Sequence, residues 1–374
     1  MKMYKVLTIF GTRPEIIRLS CIIKKLDKSF IHKCINTGQN FDLNLNKIFF
    51  KDLDLRDPDY DLKIRSSTPC DFLSKLFLKI DKVLEKEAPD AVLILGDTNS
   101  ALSSICAKKR KIPIFHIEAG NRCRDERVPE EVNRKIVDHI SDINMTYSSY
   151  ASENLILEGI SKDKIIKVGS PLLEVCNFYN LKIEKSKILK KLNLTQDNYI
   201  LASIHREENL ESKKNLKIIF DSLHLLQKKL DVPVIFSAHP RTRKKIKQFK
   251  IKISKQILIK KPFGYLDYVK LMKNAKLIIS DSGSITEETS ILDLPSINLR
   301  SSNERQEGME RGIVIMTGLD KHSILSSASH VLRKKKTMSQ PMHIDYSNAH
   351  VSDSVITILQ SYIGYVKNKN YPQF

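Results

Sequence analysis

The chain has no tryptophan, only 12 glycines and 13 prolines in 374 residues, and no apolar run of membrane-spanning length. A membrane helix needs roughly 20 apolar residues, and the first apolar stretch, Val6–Phe10, is too short even for a signal-peptide core. The six cysteines, Cys21, Cys34, Cys70, Cys106, Cys123 and Cys176, are scattered with no CxxC spacing. That argues against a zinc ribbon and a disulfide frame, and fits free thiols in a reducing cytoplasm. GxGxxG and the Walker lysine pattern are also missing, which removes the usual signals for a dinucleotide or nucleoside triphosphate. The pair His116-x-Glu118 has half of a zinc-deaminase signature, but its Pro-Cys-x-x-Cys partner is absent. No metal and no redox cofactor is expected.

Positive charge is what the chain has in excess: 63 Lys and Arg against 43 Asp and Glu, for a net charge of +20 and a pI near 9.5. A nucleic-acid binder would show such a balance. Here, however, the lysines are spread over many helical segments, and the densest run, Arg241–Lys261, is interleaved with Ile and Phe as a solvated amphipathic surface would be. No nucleic-acid signature accompanies them. The charge is read instead as attraction for small phosphate-bearing molecules.

Apolar strand-like runs alternate with helix-period segments along the whole chain. The first half offers strands at Lys5–Phe10, Lys33–Asn36, Ala91–Leu95, Ile112–Ile117, Ile143–Thr146 and Lys164–Val168. The second offers Tyr199–Ile204, Val234–Ser237, Ile257–Ile259, Leu277–Ser280, Ile297–Leu299 and Ile313–Met316. Helical patterns such as Glu15–Leu26, Phe72–Lys86, Glu130–Ile140, Leu216–Leu230 and Ile285–Leu292 lie between them. This is the signature of an α/β protein with parallel sheets covered on both faces. The lysine-rich Asn177–Gln196 segment separates the two sets. Two doubly wound, Rossmann-like domains are therefore expected, residues 1–176 and 177–351, with a final helix in 352–374 packing back on the first. Their strand C-termini are expected to surround an interdomain cleft.

The polar residues of interest fall where strands end and helices begin. Gly11-Thr12-Arg13-Pro14-Glu15 has a capping-box spacing at Thr12 and Glu15, which accounts for everything except Arg13, a cation at the positive end of a helix. A helix N-terminus plus Arg13 suits an anion. Asp97 follows Gly96 at one strand end, and Glu118 ends the neighbouring strand. As like-charged neighbours they would raise each other's pKa, as proton-transfer groups require. Pro129 opens a helix whose first turn holds Glu130 and Glu131; i,i+4 pairing with Arg134 and Lys135 assigns Glu131, Arg134 and Lys135 to the helix surface and leaves Glu130 for chemistry. His205, at a strand end beside Glu207 and Glu208, is a candidate proton shuttle. Ser282, Gly283 and Ser284 form a turn whose N–H groups suit a diphosphate, although Ser284 and Glu287 also have capping-box spacing. Glu288 suits ribose hydroxyls, Arg305 a second phosphate, and Phe263 and Tyr268 a planar base.

In order, FGTRPE at Phe10, GDT at Gly96, HIEAG at His116, PEEVNR at Pro129, HREEN at His205, the His239–Pro240 pair and DSGSITEE at Asp281 resemble the non-hydrolysing UDP-N-acetylglucosamine 2-epimerase family over essentially the whole chain. The resemblance implies two Rossmann-like domains in the arrangement of GT-B glycosyltransferases. It also implies inversion at the sugar C2 through elimination of UDP to a 2-acetamidoglycal and re-addition. Carried over by position, Asp97, Glu118, Glu130 and His205 are the acid–base and leaving-group residues. Arg13, His239, Phe263, Ser282, Gly283, Ser284, Glu288 and Arg305 are the UDP and substrate contacts. Arg18 stands where the family usually has lysine, and Gln39-Asn40-Phe41-Asp42 replaces the segment that holds an activating second UDP-sugar. GTRPEIIRLS, TGQN, LGDTNS and EAGNRC are closest to a branch making UDP-N-acetyl-L-fucosamine from UDP-2-acetamido-2,6-dideoxy-L-talose for capsule or O-antigen. In that branch Asn121-Arg122-Cys123 is the place to look for sugar choice. UDP-GlcNAc and the L-rhamno/L-quinovo pair are the alternative substrates, and a GT-B glycosyltransferase is the more distant one. A cytoplasmic homodimer, binding UDP-sugar and UDP but neither nucleic acid nor membrane, is the corresponding expectation.

Overall fold

A computed structural model of the chain describes residues 3–39, 43–300, 303–310, 312, 314–337 and 342–371. Asn40, Phe41 and Asp42, part of the segment set against the activator site, lie outside the described residues. The chain divides into two units, Met1–Phe178 with Ile344–Phe374, and Tyr179–His343.

The first unit is a parallel sheet of β1 (Lys5–Phe10), β2 (Ile31–Asn36), β3 (Tyr60–Asp61), β4 (Ala91–Leu95), β5 (Ile114–Ala119), β6 (Ile143–Thr146) and β7 (Ile165–Lys167), in the order β3-β2-β1-β4-β5-β6-β7. Every residue of Ala91–Leu95 is buried, as expected of a strand covered on both faces. The order reverses between β1 and β4, and ligands of doubly wound sheets bind outside the strand C-termini at such a switch point. The helix Arg13–Ser29 follows β1 and buries Ile16, Leu19, Ile22, Ile23 and Leu26 at helical spacing. The last helix, Val351–Asn370, packs against it within this unit, and Glu174 accepts hydrogen bonds from Ser352 N and Oγ at its start.

The second unit holds β8 (Ile200–Ser203), β9 (Val234–Ser237), β10 (Ile257–Lys260), β11 (Leu277–Ser280), β12 (Ser296–Asn298) and β13 (Ile315–Met316), all parallel, in the order β10-β9-β8-β11-β12-β13. Its switch point lies between β8 and β11. One face buries Phe220, Leu223 and Leu226 from the helix Lys213–Leu230 against Ile200, Val234 and Phe236. The other packs Leu271, Met272 and Ile285 on Tyr199, Leu201 and Ile278.

Three local readings change. β5 runs to Ala119, two residues past the expected end, with its register broken between Ile117 and Ala119. The basic run Arg241–Lys261 is not one surface but the helix Pro240–Gln248 and the strand β10. The Asn177–Gln196 segment contains two short helices, Asn180–Glu184 and Ile188–Leu192, anchored by buried Ile183 and Ile188. Among the described residues no helix is long and apolar enough to cross a membrane.

Candidate active site

In the first unit the C-termini of β1, β4 and β5 carry Gly11–Arg13, Gly96–Asp97 and Glu118. Glu15 joins the first two. Its Oε2 accepts the N–H groups of Gly11 at 2.6 Å and Thr12 at 2.8 Å, and its Oε1 accepts the Thr98 hydroxyl at 2.6 Å. It is thus a bridge across the switch point as well as a helix cap. Burial pushes the Glu15 carboxyl up to about 7, and Asp97 adds to the rise, although Thr98, Gly11 and Thr12 act in the opposite sense. Arg13 opens the helix, its guanidinium 5.7 Å from the centre of the Phe49 ring. Arg18, one turn further on, is buried with Nε 3.8 Å from Glu118 Oε2.

Glu118 sits at the register break of β5 with φ +70°, a left-handed conformation in which non-glycine residues are uncommon. Bulges next to active sites re-aim a side chain. Here the bulge lets consecutive residues depart from strict in–out alternation, and Glu118 remains only partly buried while its neighbours Ile117 and Ala119 are enclosed.

Asp97 is gripped from the helix Pro129–Ile140. Arg134 Nε and NH2 lie 2.9 and 2.6 Å from its Oδ2, and Asn133 donates to its carbonyl at 3.0 Å. Asp97 and Glu118, carboxylates at neighbouring strand ends, each have an arginine beside them. The surface assignment of Glu131 and Arg134 is overturned. Both are buried, Arg134 NH1 donates to Glu131 at 2.9 Å, and Glu131 also accepts the N–H groups of Cys123 and Arg124. Burial alone would raise the Glu131 carboxyl; the Cys123 N–H, Arg134 and the Arg124 N–H hold it below the usual range. Lys135 pairs with Glu126 instead, at 3.5 Å. Glu130, next to Glu131 in the first turn, is half-buried. In Asn121-Arg122-Cys123, Arg122 is a buried cation paired with Asp138 and Glu158.

In the second unit the site again straddles the switch. Asp281, fully buried at the end of β11, accepts the backbone N–H groups of His205 and Arg206 at 3.0 and 2.9 Å and the Asn209 amide at 2.9 Å. His205 is exposed, with Nδ1 3.3 Å from Asp281 Oδ1. A solvent-facing imidazole backed by a buried carboxylate is the arrangement of a proton shuttle. Sequence reading passed over Asp281, whose only local signal was its place at a strand end.

In the Ser282–Ser284 turn, Ser282 N donates to Ser280 Oγ at 3.0 Å and Ser284 N to Ser282 Oγ at 3.3 Å. A Cβ at Gly283 would lie 2.0 Å from Glu304 Oε1, so the Glu304 side chain would have to move. Glu304 Oε2 is 2.7 Å from NH1 of buried Arg300, a cation that sequence reading missed. Ser284 makes no side-chain cap hydrogen bond, and Glu287 is buried and accepts from Arg305 Nε at 2.7 Å. Arg305 is thus a buried partner of Glu287. His239 caps the helix Pro240–Gln248, and Phe263 and Tyr268 pack on the core beneath β11. Burial raises the Tyr268 hydroxyl, and Glu288 adds to the rise.

Residues 24–360 match the family model for UDP-N-acetylglucosamine 2-epimerase. The chain belongs to this family. Its members are isomerases, and so is this chain. The chain is similar to the UDP-N-acetylglucosamine 2-epimerase of Methanocaldococcus jannaschii, 40% identical over 365 residues that cover 95% of this chain and 98% of that one. The crystal structure of that enzyme in complex with UDP-GlcNAc and UDP superposes with a TM-score of 0.88 at 38% identity, covering 96% of this chain and 100% of that one. A Rickettsia bellii structure titled UDP-N-acetylglucosamine 2-epimerase gives 0.92 at 44% identity, over 99% and 100% of the two chains. The UDP-2,3-diacetamido-2,3-dideoxy-D-glucuronate 2-epimerase of Pseudomonas aeruginosa is 34% identical, covering 88% of this chain and 93% of that one. The two parallel-sheet units are the Rossmann-like pair of this family.

Proposed function

We propose that this family member inverts C2 of a UDP-2-acetamido-6-deoxy-L-hexose, converting UDP-2-acetamido-2,6-dideoxy-L-talose to UDP-N-acetyl-L-fucosamine. The observation that carries the C2 chemistry is Glu118, held at φ +70° at the end of β5 with Arg18 beside it. A carboxylate base takes the C2 proton, the C1–O bond breaks, and UDP leaves with the electron pair, giving a 2-acetamidoglycal. UDP then adds back to C1 while C2 is protonated on the opposite face. Atoms balance without water, metal or redox partner. Glu118, Glu130, Asp97 and His205 are the proton-transfer candidates, the last backed by Asp281. Ser282–Ser284, the N-terminus of the helix Ile285–Leu292, Arg13, His239 and Arg305 suit the diphosphate, whose charge grows as the bond breaks. Glu288 suits the ribose, and Phe263 with Tyr268 the uracil. Asn121, buried beside Glu118 in sequence, is the candidate for sugar choice.

The 6-deoxy substrate is favoured by the branch motifs TGQN, LGDTNS and EAGNRC. A second reading, interconversion of UDP-GlcNAc and UDP-ManNAc, is favoured by the names of the M. jannaschii and R. bellii relatives. Each sugar is to be offered in heavy water with C2 followed by NMR. Faster turnover of the 6-deoxy-L-talo sugar, with deuterium at C2, supports the first reading. Faster turnover of UDP-GlcNAc supports the second, and inversion without deuterium uptake removes the elimination mechanism. Capsule or O-antigen supply in the cytoplasm, by a homodimer, completes the proposal; sedimentation tests the last point.

A further inference from the structure

One buried ring touches the supports of two first-unit carboxylates, Asp97 and Glu118. His116 lies inside β5 with no solvent exposure. Its Nε2 is 2.8 Å from the Gly96 carbonyl, and its Nδ1 is 2.9 Å from Asp138 Oδ1. Gly96, the residue before Asp97, turns away from the sheet with φ +77°. Its N–H still donates to Ile117 O at 2.9 Å, but its carbonyl has left the ladder, and the His116 ring takes it up. On the other side, Asp138 Oδ2 accepts the Gly120 N–H at 3.2 Å and Arg122 NH1 at 2.7 Å, so the carboxylate that holds the ring also holds the turn after Glu118.

We propose that His116 is a positioning residue for the C2 chemistry, fixing the Gly96–Asp97 turn through Nε2 and the Glu118–Gly120 turn through Asp138. This rests on the proposed epimerase reading and adds to it the device that sets two of its carboxylates in register. The Gly96 carbonyl and the Asp138 carboxylate can only accept, an environment that favours the protonated ring. Burial works against that charge, but Asp138, the Gly96 carbonyl and Asp97 outweigh it and hold the imidazole above its ordinary range. The surrounding charges balance: Asp138 lies between His116 and Arg122, and Arg122 Nε and NH2 meet the Glu158 carboxylate at 2.7 and 2.6 Å. A ring present only to neutralise Asp138 would have no need of the Gly96 contact.

Two amide substitutions separate these roles, because a Gln amide reaches the place of Nε2 and an Asn amide that of Nδ1. His116→Gln keeps the Gly96 hydrogen bond, and His116→Asn keeps the Asp138 contact. With the substrate the wild type turns over, kcat is expected within about ten-fold of wild type for H116Q and lower by about 100-fold or more for H116N, the scale of a small misplacement of reacting groups. KM and UDP affinity stay unchanged in both. Hydrogen exchange of the Gly96 amide in the free protein reads the turn itself, with protection retained in H116Q and lost in H116N. Equal losses of kcat, the reverse order, or equal Gly96 protection in all three proteins overturns the proposal. If the wild type turns over no UDP-sugar, the epimerase reading falls, while the exchange measurement still decides whether His116 holds the turn. If H116N does not fold, H116Q decides alone: retained Gly96 protection supports the proposal, and its loss overturns it.

Discussion

Arg134 holds Asp97 and Glu131 at once, its Nε and NH2 on the Asp97 carboxylate and its NH1 on Glu131. The guanidinium is buried, so its planar fork is fixed between two carboxylates that serve different turns. Removing one partner of a buried pair leaves an uncompensated charge, at roughly 3–5 kcal/mol. Arg134→Met is expected to lose stability on that scale in urea titrations. Arg134→Lys, which keeps the charge without the fork, is expected to fold and to lose about 100-fold in kcat. Unchanged kcat in Arg134→Lys would separate Asp97 placement from turnover.

Glu118→Gln should lower kcat by roughly 100- to 10,000-fold, the usual range for a positioned proton-transfer group. UDP binding, measured by calorimetry, should not move, since the proposed UDP contacts other than Arg13 lie in the second unit. Retained turnover would take Glu118 off the list of bases.

Glu15 sets a pH dependence. Its carboxyl is raised from 4.5 to about 7 by burial. The folded protein therefore binds this proton more tightly than the unfolded chain, and the stabilisation is complete below about 4.5. It declines as pH rises through about 7, by about 3 kcal/mol in all. Glu15→Gln removes the titration. The Tm of Glu15→Gln relative to wild type should accordingly rise between pH 5 and pH 8; a difference that stays flat across that range contradicts the assignment.

Gly283→Ala drives a methyl into the Glu304 carboxylate. An overpacked site of this kind costs about 1–3 kcal/mol. Either the Glu304–Arg300 pair or the Ser282–Ser284 turn shifts to accommodate it, and UDP affinity should weaken at least ten-fold, or about 1.4 kcal/mol. Isothermal titration against UDP measures this, and undiminished affinity would remove the turn from the diphosphate site.

The architecture was legible because its strands are short, enclosed apolar runs. Ala91–Leu95, Ile143–Thr146, Val234–Ser237 and Leu277–Ser280 are read from sequence with the bounds they have in the structure. Tyr60–Asp61 escaped notice because it is a two-residue strand at the sheet edge with no apolar pattern. Pro240–Gln248 was hidden in a lysine run because only Thr242 and Ile246 on it are buried. In the site, spacing alone misassigned Glu131 and Arg134. An i,i+4 rule sees only the helix it is applied to, whereas the decisive partner, Asp97, is 37 residues from Arg134. The same holds for Asp281, whose contacts with His205 and Asn209 cross more than 70 residues of chain.

The left-handed backbone at Glu118 has a cost of its own. A side chain in that region is strained by roughly 1–2 kcal/mol, which glycine would not bear. Selection for a sturdier chain and selection for a working one therefore pull in opposite directions at this residue. Glu118→Gly combined with Arg18→Met, so that no buried arginine loses its carboxylate, should emerge from a thermostability screen as a gain, and from an activity screen as a loss. The persistence of glutamate at that position would then measure how much durability the chain gives up to keep a carboxylate there.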